Sequence, residues 1–82
     1  MSVEERIRSF VIEELGFGDD PARLTTDYPL LEKGVVDSAG IFQLVSFVEA
    51  EYGVEIEDQE LVPEHFGTLG GLARLVEAKR RS

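Results

Sequence analysis

Eighty-two residues with a formal net charge of −9 and 43% hydrophobic composition describe one small acidic domain, residues 1–82, with enough apolar material to fold without staples. The chain has no cysteine, which excludes disulfides, thiolate metal ligands and a cysteine nucleophile. Its charge would repel the phosphates of nucleic acid, and no apolar run approaches the ~20 residues needed to cross a bilayer.

Ser2, followed three residues later by Glu5, is a capping-box pattern that opens a helix. Val3, Ile7, Phe10, Val11 and Leu15 recur at three- and four-residue steps, so residues 3–15 read as a first amphipathic helix that Gly16 and Gly18 end. The early acids Glu4 and Glu5 lack the basic-then-apolar layout of a signal peptide, which makes a soluble cytoplasmic protein the expectation.

Residues 16–36 carry no sustained period and form a long connection, with Leu30, Leu31, Val35 and Val36 available to pin it to a core. It delivers Asp37 and Ser38 to a second helix. Both are good cap residues, because a short side-chain oxygen accepts an unpaired N–H of the first turn. On a helical wheel Ile41, Leu44, Val45, Val48 and Tyr52 share one arc. Ala39, Gln43, Ser46 and Ala50 fall opposite, and Phe42 and Phe47 lie on the shoulders. Ser38 is therefore expected at an exposed helix tip, and Gly53 offers a left-handed stop. The first two helices are expected to run antiparallel with their apolar faces together.

Val54-Glu55-Ile56-Glu57 alternates like a strand, but no second strand exists to pair with it. Val54 and Ile56 are expected to enter the core from a loop. Pro63 suits the first turn of a short helix over Glu64–Phe66. Thr68 caps a last helix through Arg81 with Leu69, Leu72, Leu75 and Val76 inward, although Gly70 and Gly71 weaken its start by roughly 1 kcal/mol each. Lys79, Arg80 and Arg81 suit its negative end.

Catalysis finds little support. His65 is the only histidine and no histidine–acid–serine pattern accompanies it, so it is expected at the surface or an interface beside Phe66. The acids near residues 55–60 lack the order of a calcium loop, and no metal site or glycine-rich phosphate loop is evident. From Gly34 to Ala73 there is no Lys or Arg, whereas Asp37, Glu49, Glu51, Glu55, Glu57, Asp58, Glu60 and Glu64 all lie there. A partner with a basic surface would be steered to that half, although the same acids also serve solubility.

The run Gly34-Val35-Val36-Asp37-Ser38, the amphipathic helix after it, then Tyr52-Gly53-Val54-Glu55-Ile56 and Leu61-Val62-Pro63-Glu64-His65-Phe66, resembles the acyl carrier protein family over nearly the whole chain. The resemblance implies a right-handed, all-α, up-down four-helix bundle with a long loop between helices 1 and 2 and a short third helix. It implies a non-catalytic, monomeric carrier with 4′-phosphopantetheine, derived from coenzyme A, attached to Ser38 and bearing an acyl or aminoacyl group as a thioester. Asp37 matches the acid before the family's attachment serine, with a role as cap, as transferase contact, or both. The implied partners are a phosphopantetheinyl transferase, an acyl- or aminoacyl-activating ligase and downstream transferases. The residues expected to meet them are Ala39, Phe42, Gln43, Ser46, Phe47 and Glu49.

The chain also departs from the pattern. Ala39 stands where the family usually has Leu or Met, and Gly40, Gln43 and Ala50 stand where fatty-acid-synthesis carriers place acids. Gly40 is closer to D-alanyl and other specialised carriers. Phe47 is expected either to dock partners or, slightly favoured, to pack on the loop of residues 16–36, and Phe42 either to dock or to line a cargo cavity. An unmodified, acidic adaptor domain that binds a basic partner is the alternative function.

Overall fold

A computed structural model describes residues 2–81. Four α-helices follow in chain order: α1 (Val3–Glu13), α2 (Ser38–Tyr52), α3 (Pro63–Phe66) and α4 (Leu69–Arg80). Two single 3₁₀ turns, Pro21–Arg23 and Asp58–Glu60, interrupt the connections, and the described residues contain no strand. The all-α reading and the rejection of a strand at Val54–Glu57 are borne out.

Local chemistry sets most of the boundaries. The Ser2 hydroxyl accepts from the Glu5 N–H and the Glu5 carboxylate accepts from the Ser2 N–H, both at 3.1 Å. These bonds, the backbone one foremost, hold the Glu5 carboxyl below its ordinary pKa. α1 stops at Glu13, two residues short of the periodic reading. Leu15 bonds back to the Phe10 carbonyl and Gly16, at φ 71°, turns the chain. Gly53 ends α2 at φ 66°, its N–H on the Glu49 carbonyl. Pro63 occupies the first position of α3. Thr68 caps α4 by accepting from the Gly71 N–H at 3.0 Å, and Arg81 is its C-terminal cap rather than its last helical residue.

One cluster of buried side chains joins the elements. It takes Val3, Ile7 and Val11 from α1, Leu44 and Val48 from α2, Phe66 from α3, and Leu69, Leu72, Leu75 and Val76 from α4. The wheel of α2 is turned slightly from expectation: Gly40, Leu44 and Val48 mark its buried line, while Ile41, Val45 and Tyr52 are half-buried beside it. Ile56, expected in the core, is likewise half-buried, packing on the cluster from the loop with Val54. α1 packs mainly on α4 rather than on α2. It meets α2 along one edge, where the Phe10 and Phe47 rings stack with centroids 4.5 Å apart and Arg6 pairs with Glu51 at 2.6 Å. At the end of α2 the Tyr52 hydroxyl is buried without a hydrogen-bond partner, and that burial raises its pKa.

The long connection is an anchored loop. Leu24, Leu30 and Val36 are buried. The Leu30 N–H donates to the Gly67 carbonyl at 2.8 Å and the Gly70 N–H donates to the Thr26 carbonyl at 3.1 Å, so the loop is bonded to the α3–α4 junction. After α2, Glu60 accepts from the Glu57 N–H at 2.9 Å and from Lys79 at 2.8 Å, which ties the second connection to α4 and lowers the Glu60 pKa.

Gly70 and Gly71 correct a propensity argument. A Cβ on Gly71 would stand 2.8 Å from the Glu64 carbonyl oxygen and 3.0 Å from that of His65, and one on Gly70 would stand 2.6 Å from the Thr26 methyl. These glycines admit α3 and the loop against the start of α4. Propensity alone makes Gly71→Ala a gain of about 1 kcal/mol. Overpacking against fixed carbonyls outweighs it, and we expect a net loss of about 1–3 kcal/mol in urea unfolding. Increased stability would show that the α3 carbonyls give way.

Candidate functional site

The start of α2 is held from both sides. Upstream, Gly34 takes φ 72°, and the Val35 and Val36 N–H groups return to the Leu30 carbonyl at 3.0 and 3.2 Å, which seats Val36 in the core. Downstream, Gly40 is buried, and a Cβ there would lie 3.3 Å from Val36 Cγ1, 3.4 Å from Asp37 Oδ1 and 3.8 Å from Leu15 Cδ1. Two residues are thereby presented between two fixed points. Gly40 is thus a packing residue, not an exposed position lacking an acid. It continues the buried line of Leu44 and Val48, and the side chains that cover it, Val36 and Leu15, come from outside the helix.

Asp37 is the N-cap: its Oδ1 accepts from the Gly40 N–H at 2.8 Å and its carbonyl accepts from the Ile41 N–H at 2.8 Å. Ser38 is the first helical residue. It is exposed, and its hydroxyl makes no hydrogen bond among the described residues. The division follows from geometry, since one carboxylate meets the cap's demand and leaves the neighbouring hydroxyl free. A phosphate ester on Ser38 Oγ would sit at the positive end of a four-turn helix beside unpaired first-turn N–H groups, with no side chain to displace.

The remaining expected residues divide. Ala39, Phe42, Gln43 and Ser46 lie on the outward side of α2, and Phe42, at 63%, is the exposed large hydrophobic side chain among the described residues. Phe47 is half-buried, and its ring stacks on Phe10 of α1. Glu49 is half-buried and accepts from the Ile56 N–H at 2.9 Å. It holds the chain after Gly53 against α2, a role its charge does not signal. Phe10, Glu14, Phe42, Gln43, Ser46 and Phe47 line an open groove along the α1–α2 edge. Sequence reasoning missed the α1 side of that groove, although Phe10 on the helix wheel is the available signal.

Among the described residues no group of His, Asp and Glu is placed to hold a metal, and no helix is long and apolar enough to cross a membrane. The fold presents a serine hydroxyl on a helix start that Asp37 and the preceding loop hold in place.

The family described as the phosphopantetheine attachment site matches residues 5–76, and the chain belongs to it. It is 31% identical to an acyl carrier protein of Streptococcus thermophilus over 81 residues, 99% of this chain and 100% of the relative. It is 43% identical to the probable acyl carrier protein PigG of a Serratia species over 54 residues, 66% of this chain and 62% of PigG. A chain in a crystal structure of an FAD-dependent dehydrogenase superposes with a TM-score of 0.76 and 34% identity, covering 85% of this chain and 97% of that one. The protein is a carrier with a phosphopantetheine attachment domain, and acyl carrier proteins are non-catalytic. The prosthetic group of the family is 4′-phosphopantetheine, whose thiol supplies the chemistry this cysteine-free chain lacks.

Proposed function

We propose that residues 1–82 act as one discrete carrier unit, with phosphopantetheine on Ser38 bearing an acyl or aminoacyl group as a thioester in a specialised biosynthetic pathway. The observation that carries this reading is the free, exposed Ser38 hydroxyl beside a cap already satisfied by Asp37. A transferase can approach it without unmaking any bond of the fold.

The outward face of α2 supports the specialised pathway. Ser38, Ala39, Phe42, Gln43, Ser46 and Ala50 are its uncharged residues, and the acid Glu51 is paired with Arg6. An enzyme that recognises an acidic stripe would find an aromatic ring and an amide in its place. The solved structure adds a direction. The matched chain there is close to this one in length, and that structure is named for an FAD-dependent dehydrogenase, an enzyme class suited to oxidising tethered cargo. Asp37 and the acids downstream would steer basic partners through solvent, an effect that rising salt weakens.

The test is a side-by-side loading assay on the phosphopantetheinylated protein. Adenylating ligases for amino acids or specialised acyl groups are expected to load it efficiently, at rates that fall as salt is raised, and a malonyl transferase of fatty acid synthesis is expected to load it poorly. Efficient malonyl loading without ligase activity would overturn the specialised pathway and leave the carrier. A chain that accepts no arm while a control carrier does would favour an acidic adaptor.

A further inference from the structure

The α1–α2 groove begins beside the serine. Phe42 follows Ser38 by four residues, which places it on the same exposed face about 6 Å along the helix axis. Helical side chains lean toward the N-terminus, so the Phe42 ring leans toward Ser38. The stacked pair Phe10 and Phe47 continues the apolar surface beyond it, and Gln43 and Ser46 contribute polar groups between the rings. Glu14 closes the α1 side, and its carboxylate has no ion-pair partner among the described residues. Farther along the edge, Glu13 adds a second carboxylate, while Arg6 is committed to Glu51.

An exposed ring one helical turn from an arm-bearing residue, in a groove bordered near its serine end by an unpaired carboxylate, fits one type of occupant. We infer that the groove is a resting seat for the chain's own cargo, an aminoacyl group with an apolar side chain and a free α-ammonium. This rests on the reading of Ser38 as the attachment residue. The apolar side chain lies against Phe42, Phe47 and Phe10. The ammonium pairs with Glu14 and is further favoured by the faces of the rings, and Gln43 and Ser46 are the hydrogen-bonding groups available to the carbonyl and arm amides. A carboxylic acyl group of opposite charge would be repelled by Glu14, so the groove discriminates by charge as well as by apolar fit. The contact is internal to the loaded protein, and a short arm keeps its local concentration high enough for weak contacts to count.

The experiment uses the full chain carrying a leucyl group joined to the arm by an amide in place of the thioester, installed from the matching coenzyme A analogue by a broad-specificity transferase. Intact mass establishes loading, and backbone amide NMR spectra are then compared for the apo, holo, leucyl and N-acetyl-leucyl forms. The leucyl form is expected to shift Ser9–Glu14 and Phe42–Phe47 beyond the changes that the arm alone produces. N-acetylation, Glu14→Gln and Phe42→Ala should each return the α1 signals to their holo positions, and both substituted side chains are exposed or at the groove edge, so the fold is retained. Loading with shifts confined to the residues around Ser38, or displaced to Ile41, Val45 and Ile56, would overturn the inference. So would α1 shifts that arise only when a ligase or transferase is added, since the groove would then be a docking surface. No gain in mass would overturn the attachment reading itself, and the seat with it.

Discussion

Ser38→Ala is expected to abolish phosphopantetheine attachment completely, leaving an intact mass unchanged by transferase and coenzyme A under conditions that convert the wild-type chain. The loss is chemical, since alanine supplies no oxygen for the phosphodiester. The helical circular dichroism should be preserved, because the cap belongs to Asp37, whose Oδ1 holds the Gly40 N–H at 2.8 Å, and the Ser38 hydroxyl bonds nothing among the described residues. Alanine is also a good residue for a helix's first turn. Mass gain in this variant would move the attachment point to another hydroxyl, while an altered dichroism would show that Ser38 contributes to the fold. Asp37→Ala is a different experiment. It removes the cap, at about 0.5–2 kcal/mol, and so confounds any transferase contact with a loosened helix start.

The second large effect is on stability. Phe66 is fully buried and supplies the core residue of the four-residue helix α3, which packs chiefly on α4. A helix of that length has no stability of its own, so its position depends on this one side chain. Phe66→Ala is expected to cost about 3–5 kcal/mol. A domain of this size is only marginally stable, and the variant should unfold at a far lower urea concentration or be largely unfolded in buffer. Parallel near-ultraviolet and far-ultraviolet dichroism would follow it. A loss below about 1 kcal/mol would mean that the core closes over the vacancy, for which the neighbouring glycines Gly67, Gly70 and Gly71 would have to shift. Because the Gly67 carbonyl receives the Leu30 N–H, the same variant should also loosen the loop that leads to Ser38.

What depends on neighbours along the chain is legible in the sequence. Ser2 with Glu5, Asp37, Gly53, Pro63 and Thr68 act on groups within a few residues, and each stands where local chemistry places it. The apolar periods of α1 and α4 hold as well, since each faces one core. Hidden from the sequence is whatever is set by partners distant along it. Gly40 is covered by Val36 and Leu15, Gly70 by Thr26, and Gly71 by the α3 carbonyls, and a glycine carries no side-chain signal of what will approach it. Glu49 reads as surface charge because nothing local shows that the Ile56 N–H returns to it. Nothing local to Phe47 shows that its ring stacks on Phe10 of α1. The attachment serine itself is legible by family resemblance more than by physics. A short polar residue after a cap is ordinary, and Ser9 and Ser46 also carry hydroxyls without a hydrogen bond, so what sets Ser38 apart is its place at the start of α2 beside a cap that Asp37 already satisfies.

The bond between Leu30 and Gly67 has a consequence for the order in which the molecule is made. A ribosome delivers the chain from its N-terminus, so a nascent chain released through Gly53 already contains the serine, its cap and the whole of its helix. It does not yet contain Gly67 or Gly70, whose backbone groups clamp the loop at Leu30 and Thr26. The setting of the serine is therefore completed by residues synthesised after it, and the finished presentation of Ser38 reports that the α3–α4 junction has arrived and folded.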